Sequence, residues 1–526
     1  MKTKASPTRS SANTPLLRRF CRLKACLLAC IALVMFCVVD ASAQKRLKLK
    51  QADQLRNGKD AVGNKFSRAL GNVVFVQNTT TIYCDSAYFY KDRNSIEAFG
   101  SIRITEGDSV TITGNRLEYD GNTKHAKLRK NVVFTKLATS TLYTEFLDFS
   151  RPQNLAFYYN GGKLVDSINV LTSNKGYYNL TNNMASFKKD VVVTHPDYIM
   201  KADSLQYNSR TKIIYFRTPT NVVHRKDSST FVYQAGEYDT RLRHSVAEHG
   251  TGETSEYKVI SKDYQLDDLR KIYKLRGDVV MTSKKDNLLI YGQAADYYRA
   301  KGYSKVYNRA YAAKITDNND TLFIAADTLV SIENDDPSKK RLLAYHNVRI
   351  YKTDMQGVAD SLEYRTLDSA LYMYRQPVLW TQGNQMSADS IQMIIRNQTI
   401  DKVYLNANAF VISQDTLLNF NQIKGRHMTA EFRNQKINRV YVNGNGESIY
   451  FLNEKAKGSM GMNRIICSDI TIKFSDGQVK TLSFYTQPDA RFIPPHELKK
   501  EDMTLRGFTW KEDRKPEKSD VVGTKP

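Results

Sequence analysis

The chain has 526 residues, a formal net charge of +24, 32 Tyr and 22 Phe against 2 Trp, and only 12 Pro. That aromatic balance favours strands, and the positive surplus favours an anionic partner. With only six cysteines and neither a Gly-Lys-Ser/Thr phosphate loop nor a Gly-x-Ser-x-Gly elbow, the sequence excludes a disulfide scaffold and carries neither the common nucleotide-binding motif nor the common hydrolase motif.

The first element is a basic stretch with Arg18, Arg19, Arg22 and Lys24, followed by an apolar run from Ala25 to Val39 and by Ala41-Ser42-Ala43. These are the three parts of a secretory signal, so residues 1–43 are expected to be removed and the mature chain to begin near Gln44. A retained membrane anchor is the alternative, although the apolar run is shorter than the ~20 residues a spanning helix needs. The signal contains Cys21, Cys26, Cys30 and Cys37, leaving Cys84 and Cys467, whose separation argues against a bridge. It also contains seven of the 78 basic and one of the 54 acidic residues, so the mature charge is +18. A secreted basic chain meets anionic lipid or glycan before nucleic acid.

From Leu47 onward one phrase recurs. Ala52-Asp53-Gln54-Leu55 is followed by Ala202-Asp203-Ser204-Leu205-Gln206-Tyr207, Ala326-Asp327-Thr328-Leu329, Ala359-Asp360-Ser361-Leu362-Glu363-Tyr364 and Ala388-Asp389-Ser390-Ile391. A second phrase keeps step with it, first as Gly71-Asn72-Val73-Val74-Phe75, then Gly100-Ser101-Ile102-Arg103-Ile104, Asn131-Val132-Val133-Phe134, Asp190-Val191-Val192-Val193 and Asn347-Val348-Arg349-Ile350. A unit of roughly thirty residues repeated this often is one supersecondary element stacked on its neighbours.

Ile102-Arg103-Ile104 and Val348-Arg349-Ile350 alternate apolar and charged, the two-residue period of a half-buried strand. Turn clusters such as Asp120-Gly121-Asn122, Asn182-Asn183 and Asp317-Asn318-Asn319-Asp320 punctuate the runs, and no helical stripe appears between Gln44 and Phe484. The expected fold is therefore all-β, an elongated solenoid-like stack of short strands, one rung per repeat. Its apolar face is expected at Val73/Phe75, Ile102/Ile104, Val132/Phe134, Val191/Val193, Val279/Met281, Val348/Ile350, Val378/Trp380 and Phe410/Ile412, with a second stripe at Leu117/Tyr119, Leu205/Tyr207, Leu362/Tyr364 and Ile391/Met393. The body is expected over residues 44–485, in one, two or three modules. The Pro/Lys/Glu-rich residues 486–526 are expected to be a largely disordered tail, with Phe492 and Ile493 as a possible cap on the last strand.

The repeated acids Asp53, Asp85, Asp203, Asp327, Asp360 and Asp389 resemble catalytic carboxylates, but a residue present once per repeat fills the same structural slot each time. Asn115, Glu145 and Gln293 in that slot point to hydrogen bonding with a neighbouring rung. The eight His are dispersed and make no metal pairing, so no metal and no cofactor are expected. Tyr297-Tyr298-Arg299 and Tyr303-Ser304-Lys305 read as exposed strand residues or as a stacking platform for sugars or bases.

The alternation of the Ala-Asp-Ser-Leu-x-Tyr and Gly-Asn-Val phrases behind a signal resembles the OstA/LptA family of lipopolysaccharide transport proteins over roughly residues 47–485. That resemblance implies a β-jellyroll or β-taco of two facing sheets whose cleft shields lipid A acyl chains, no enzymatic activity, and a periplasmic location. It also implies end-to-end strand pairing with other transport proteins, including an outer-membrane barrel component, or with further copies. Under this reading the groove candidates are Val73, Phe75, Ile102, Ile104, Leu117, Tyr119, Val132, Phe134, Val191, Val193, Leu205, Tyr207, Val348 and Ile350. The competing reading is a secreted β-solenoid with a closed interior that binds glycan or protein on its outside.

Overall fold

The structure, a computed structural model, describes residues 46–523 except 108–109, 137–139, 167, 286, 317–319, 366, 397–398, 435, 455–457 and 476–477. The expected signal, its cysteines and most of the Asp317–Asp320 turn lie outside the described residues. Among the described residues the fold is all-β: 35 strands with antiparallel pairing, each pairing mainly with its sequence neighbours. The chain divides into two units, residues 1–128 and 129–526.

In the first unit, Lys48–Gln51 and Gln54–Lys59 form two pieces of one rung against Lys65–Gln77, which is followed by Thr80–Tyr90, Ser95–Glu106 and Val110–Asp120. Each repeat is thus a hairpin, and it contributes two rungs where one was expected. The strands are also longer than expected, at 11 to 13 residues in the four consecutive full-length examples. The reason is a corner in mid-strand.

At Gly71-Asn72 and at Gly100-Ser101 both residues take positive φ, and the ladder register slips between Leu70 and Val73 and between Phe99 and Ile102. A two-residue left-handed bulge bends the strand sharply, and Gly and Asn tolerate that conformation best. The buried parity changes across the corner, from Ile82 and Cys84 to Ala87 on the facing strand. One strand therefore supplies both walls of a folded-over sheet. The walls meet: the Phe75 ring lies 5.3 Å from Phe89, edge-on, across the interior.

The second unit repeats the device at Lys189-Asp190, Gly277-Asp278, Asn308-Arg309, His346-Asn347, Ala407-Asn408 and Gly444-Asn445. In places the strand breaks at the corner instead, as in Leu155–Tyr158 with Gly162–Asp166, or Ala370–Tyr374 with Val378–Thr381. The core gathers Val348, Ile350, Leu362, Leu379, Met386, Val403 and Leu405 between the walls.

Two pairs of the expected apolar face need correction. Counted from the corner, the inward slots in their rungs are Leu379 and Ala409, while Val378/Trp380 and Phe410/Ile412 fall one residue later. A one-residue slip moves a side chain to the opposite face of a sheet. These four are buried on the outer face, in clusters separate from the main core.

What covers Phe410 and Ile412 there is the segment expected to be disordered. Asp489–Ile493 pairs with Gly458–Ser475, and the chain then runs back over the sheet through short turns at Pro495–Glu497 and Glu512–Arg514 to a helix at Lys518–Val522. Leu505, buried at 2% exposure, is flanked by Leu498, Met503, Phe508 and Trp510. Lysine and glutamate dominate the composition there, but these apolar residues are spaced closely enough to bury together. The cap role foreseen for Ile493 fits its burial, whereas Phe492 is half-exposed.

Candidate functional site: the inner cleft

The corner sets the geometry of the interior, and the repeated acid holds the corner. Asn72 donates through Nδ2 to Asp53 at 2.9 Å, Asn347 to Asp327 at 2.9 Å and Asn408 to Asp389 at 3.0 Å. The Asp53 amide also donates to the carbonyls of Leu70 and Gly71, at 3.1 and 3.0 Å. Variants of the slot behave alike: the Asn131 amide reaches Glu145 at 3.3 Å, and Gln293 donates to Asp278 at 2.8 Å. The Lys262 ammonium, with Gln293 and Tyr291, holds the Asp278 carboxyl down at about 2. Asp360 lies beside His346 (3.3 Å) and Arg375 (3.1 Å), and the His346 hydrogen bond lowers its pKa. These acids stay one to a corner, and among the described residues no three His, Cys, Asp or Glu gather where they could hold a metal.

All fourteen groove candidates are at most 5% exposed. In the first unit Val73, Phe75, Ile102 and Ile104 occupy one wall and Leu117 and Tyr119 the other. In the second, Val132, Phe134, Val191, Val193, Val348 and Ile350 lie beyond the corner, facing the wall that carries Leu205 and Tyr207. Phe134 meets Tyr178 at 5.9 Å, and between Phe134, Leu142, Tyr158, Leu164 and Phe187 a cavity of only about 20 Å³ remains, room for about one water. Around these residues the cleft is therefore apolar and closely packed. Cys84, in the same wall as Phe75, has its thiol pushed up to about 12 by burial, so it is a packing residue. Arg103, in the slot between Ile102 and Ile104, lies over the outward Tyr83 ring at 4.3 Å.

Sequence reasoning missed what fastens the rims of the two walls. In the first unit Tyr119 donates to Gln77 Oε1 at 2.6 Å and Gln77 Nε2 donates to the Gly121 carbonyl at 2.7 Å. In the second, Lys136 Nζ reaches the Leu180 carbonyl at 2.8 Å and Asn183 at 2.7 Å. Next, the buried Asp166 accepts from Tyr207 and from Lys212, the latter at 2.8 Å. Then Arg243 pairs with Asp197, and Arg299 with Asp227 at 3.4 Å. Burial pushes the Tyr119 and Tyr207 phenols well above the usual range, so both stay neutral donors. Each latch joins the tips of hairpins from opposite walls. Except for Arg299 with Asp227, the partners stand 41 to 47 residues apart, too far for any local pattern to reveal.

In the Tyr297–Lys305 region Tyr297 is an exposed strand residue, and the rings there also contact one another. Tyr297 packs on Tyr273 and Tyr298 on Tyr303, and Lys305 reaches Asp296 at 3.4 Å.

Residues 44–203 match the family model described as OstA-like protein. Among solved structures, LptH of Pseudomonas aeruginosa, described as the LptA homologous periplasmic component of the conserved lipopolysaccharide transport device, shares 13% identity, covering 20% of this chain and 79% of its own, with a TM-score of 0.19. No curated protein matches the chain. With a corner-bent antiparallel hairpin as its repeat and that match over its first repeats, the chain is OstA-like over residues 44–203.

Proposed function

We propose that this chain is a periplasmic lipopolysaccharide-binding transport protein that shelters lipid A acyl chains between the two walls of its cleft. The observation that carries this reading is the inward apolar face itself, built within each unit by the same corner in successive rungs. A greasy interior under a basic exterior suits a lipid with acyl tails and phosphates. Because the cleft is packed shut, loading requires the walls to part, and the rim latches are the bonds that must open. The exposed ion pairs of Arg243 with Asp197 and of Arg299 with Asp227 can be exchanged for water at small net cost, which makes them the easiest of the latches to open.

Partners follow from the last rung of the second unit. Gln478–Tyr485 and Asp489–Ile493 pair with Gly458–Ser475, and among the described residues no strand covers their far edge. Val479, Leu482, Tyr485 and Phe492 are exposed there at 37–51%. An open, partly apolar edge is a template for a neighbour's strand, whether from another transport protein or from a second copy.

The closed packing favours one competing reading, a secreted glycan- or protein-binding module that never opens. Mass spectrometry of lipid extracted from protein purified out of a Gram-negative envelope separates the two. Lipopolysaccharide in near-stoichiometric amount is the expected result; lipid-free protein that still binds glycan would favour the module.

A further inference from the structure

The outer face over Phe410, Ile412, Ile449 and Phe451 is covered by residues 494–523, and the way it holds them is specific. Gln385 and Gln422 stand on that face with 1% and 0% exposure. Gln422 donates through Nε2 to the Met503 carbonyl and accepts from the Leu505 amide, both at 2.8 Å. Gln385 repeats the arrangement with the Thr509 carbonyl at 2.8 Å and the Lys511 amide at 2.7 Å. Each carboxamide thus satisfies one carbonyl and one amide two residues apart, as a neighbouring strand would. It reads backbone, while the pocket around Leu505 reads a side chain.

We propose that this face is a binding site for an extended peptide, occupied in cis by the chain's own C-terminal segment, and that the segment is a displaceable strap. Three features set residues 494–523 apart from the body they cover. Among the described residues they join no ladder, their secondary structure is two single turns and a five-residue helix, and of their thirty residues only Leu505, Pro516 and Val521 are buried. Further along, Arg349 donates to the Asp520 carbonyl at 3.2 Å and Lys518 lies 5.1 Å from the Phe323 ring, contacts that solvent readily replaces. A segment with few buried contacts and no ladder opens at lower free energy than the strands beneath it. The strap leaves the body at Pro494-Pro495, whose fixed φ values stiffen the exit. A second copy's strap carries the same signal, so the site also accepts it in trans, the low-cost exchange by which identical elements link protomers.

The test uses the full chain carrying Leu505→Asp, which weakens the strap and leaves the receptor face intact, and a labelled synthetic peptide of residues 494–523. The peptide is expected to bind this variant at least tenfold more tightly than the intact chain, where the tethered strap competes at high effective concentration. Adding Gln385→Glu and Gln422→Glu, which place carboxylates against the peptide carbonyls, is expected to reduce binding at least tenfold at neutral pH. Hydrogen exchange runs in parallel, with the strap losing protection in the Leu505→Asp variant and the strands Thr399–Gln414 and Phe420–Arg433 keeping theirs. Equal binding to both chains, no binding to the variant, or loss of protection in those strands each overturns the proposal. None of these readouts depends on whether the cleft binds lipid.

Discussion

The acid of each repeat is a corner post, and its neighbours show why Gly or Asn stands opposite. A Cβ on Gly100, at φ +72°, would come within 2.2 Å of the Asp85 carboxylate, whereas one on Gly383, at φ +74°, would meet nothing within 4 Å. Gly100→Ala is therefore expected to cost about 1–3 kcal/mol and Gly383→Ala only about 1 kcal/mol, as read by chemical denaturation. Equal costs would mean that the Asp85 contact plays no part. His195 offers a second residue-scale test. It is buried, stacks on Tyr198 at 4.5 Å, and accepts the Asp197 amide on Nδ1 at 3.0 Å, and burial lowers its pKa. A histidine held neutral in the fold costs stability once the unfolded chain takes up a proton. Stability is thus full above about pH 6.5 and falls as pH drops below that value, and His195→Gln should flatten this slope in pH-dependent denaturation. The corner was legible in the sequence because Gly-Asn recurs in register with Ala-Asp, two residue types with a clear conformational and hydrogen-bonding signature. Its consequence, a strand that changes wall midway, was not, since the flanking residues alternate normally on both sides.

At the scale of elements, the hairpins carry their apolar faces in sequence and hide their fastenings. Alternation puts Val73, Phe75, Ile102 and Ile104 on one wall, where the structure has them, but it points Phe410 and Ile412 inward because Ala409 is too small to mark its own slot. The latches leave no mark in the sequence because Gln77, Asp166 and Lys212 occupy ordinary turn-proximal positions whose partners come from other repeats. They make definite predictions. Asp166→Ala strands the Lys212 ammonium and the Tyr207 hydroxyl, and, with Lys212 partly exposed, should cost about 2–3 kcal/mol. Releasing the more exposed pair with Asp197→Ser should leave stability within about 1 kcal/mol and speed lipid loading, measured as the rate at which fluorescent lipopolysaccharide becomes protected from quencher. Unchanged loading in both variants would mean that the rims do not gate the cleft. The C-terminal strap was missed because its charge density resembles disorder, and only the outer face it covers explains its apolar residues.

For the molecule as a whole, the proposed function has the positive charge and the apolar interior serve one ligand. Binding that joins acyl burial to phosphate attraction should weaken with salt but not vanish, because screening removes only the electrostatic share. Raising ionic strength from 0.05 to 0.5 M, which spans the range where screening takes hold, should reduce lipopolysaccharide affinity several-fold, while an uncharged long-chain alcohol bound by burial alone should change less. The most direct measurement of the central claim is photo-crosslinking along a single strand, Ser95–Glu106, with a reactive residue replacing Ile102, Arg103 or Ile104 in turn. Lipopolysaccharide captured from positions 102 and 104 and not from 103 is the predicted result. Capture from 103 alone would place the ligand on the outer surface and contradict the account.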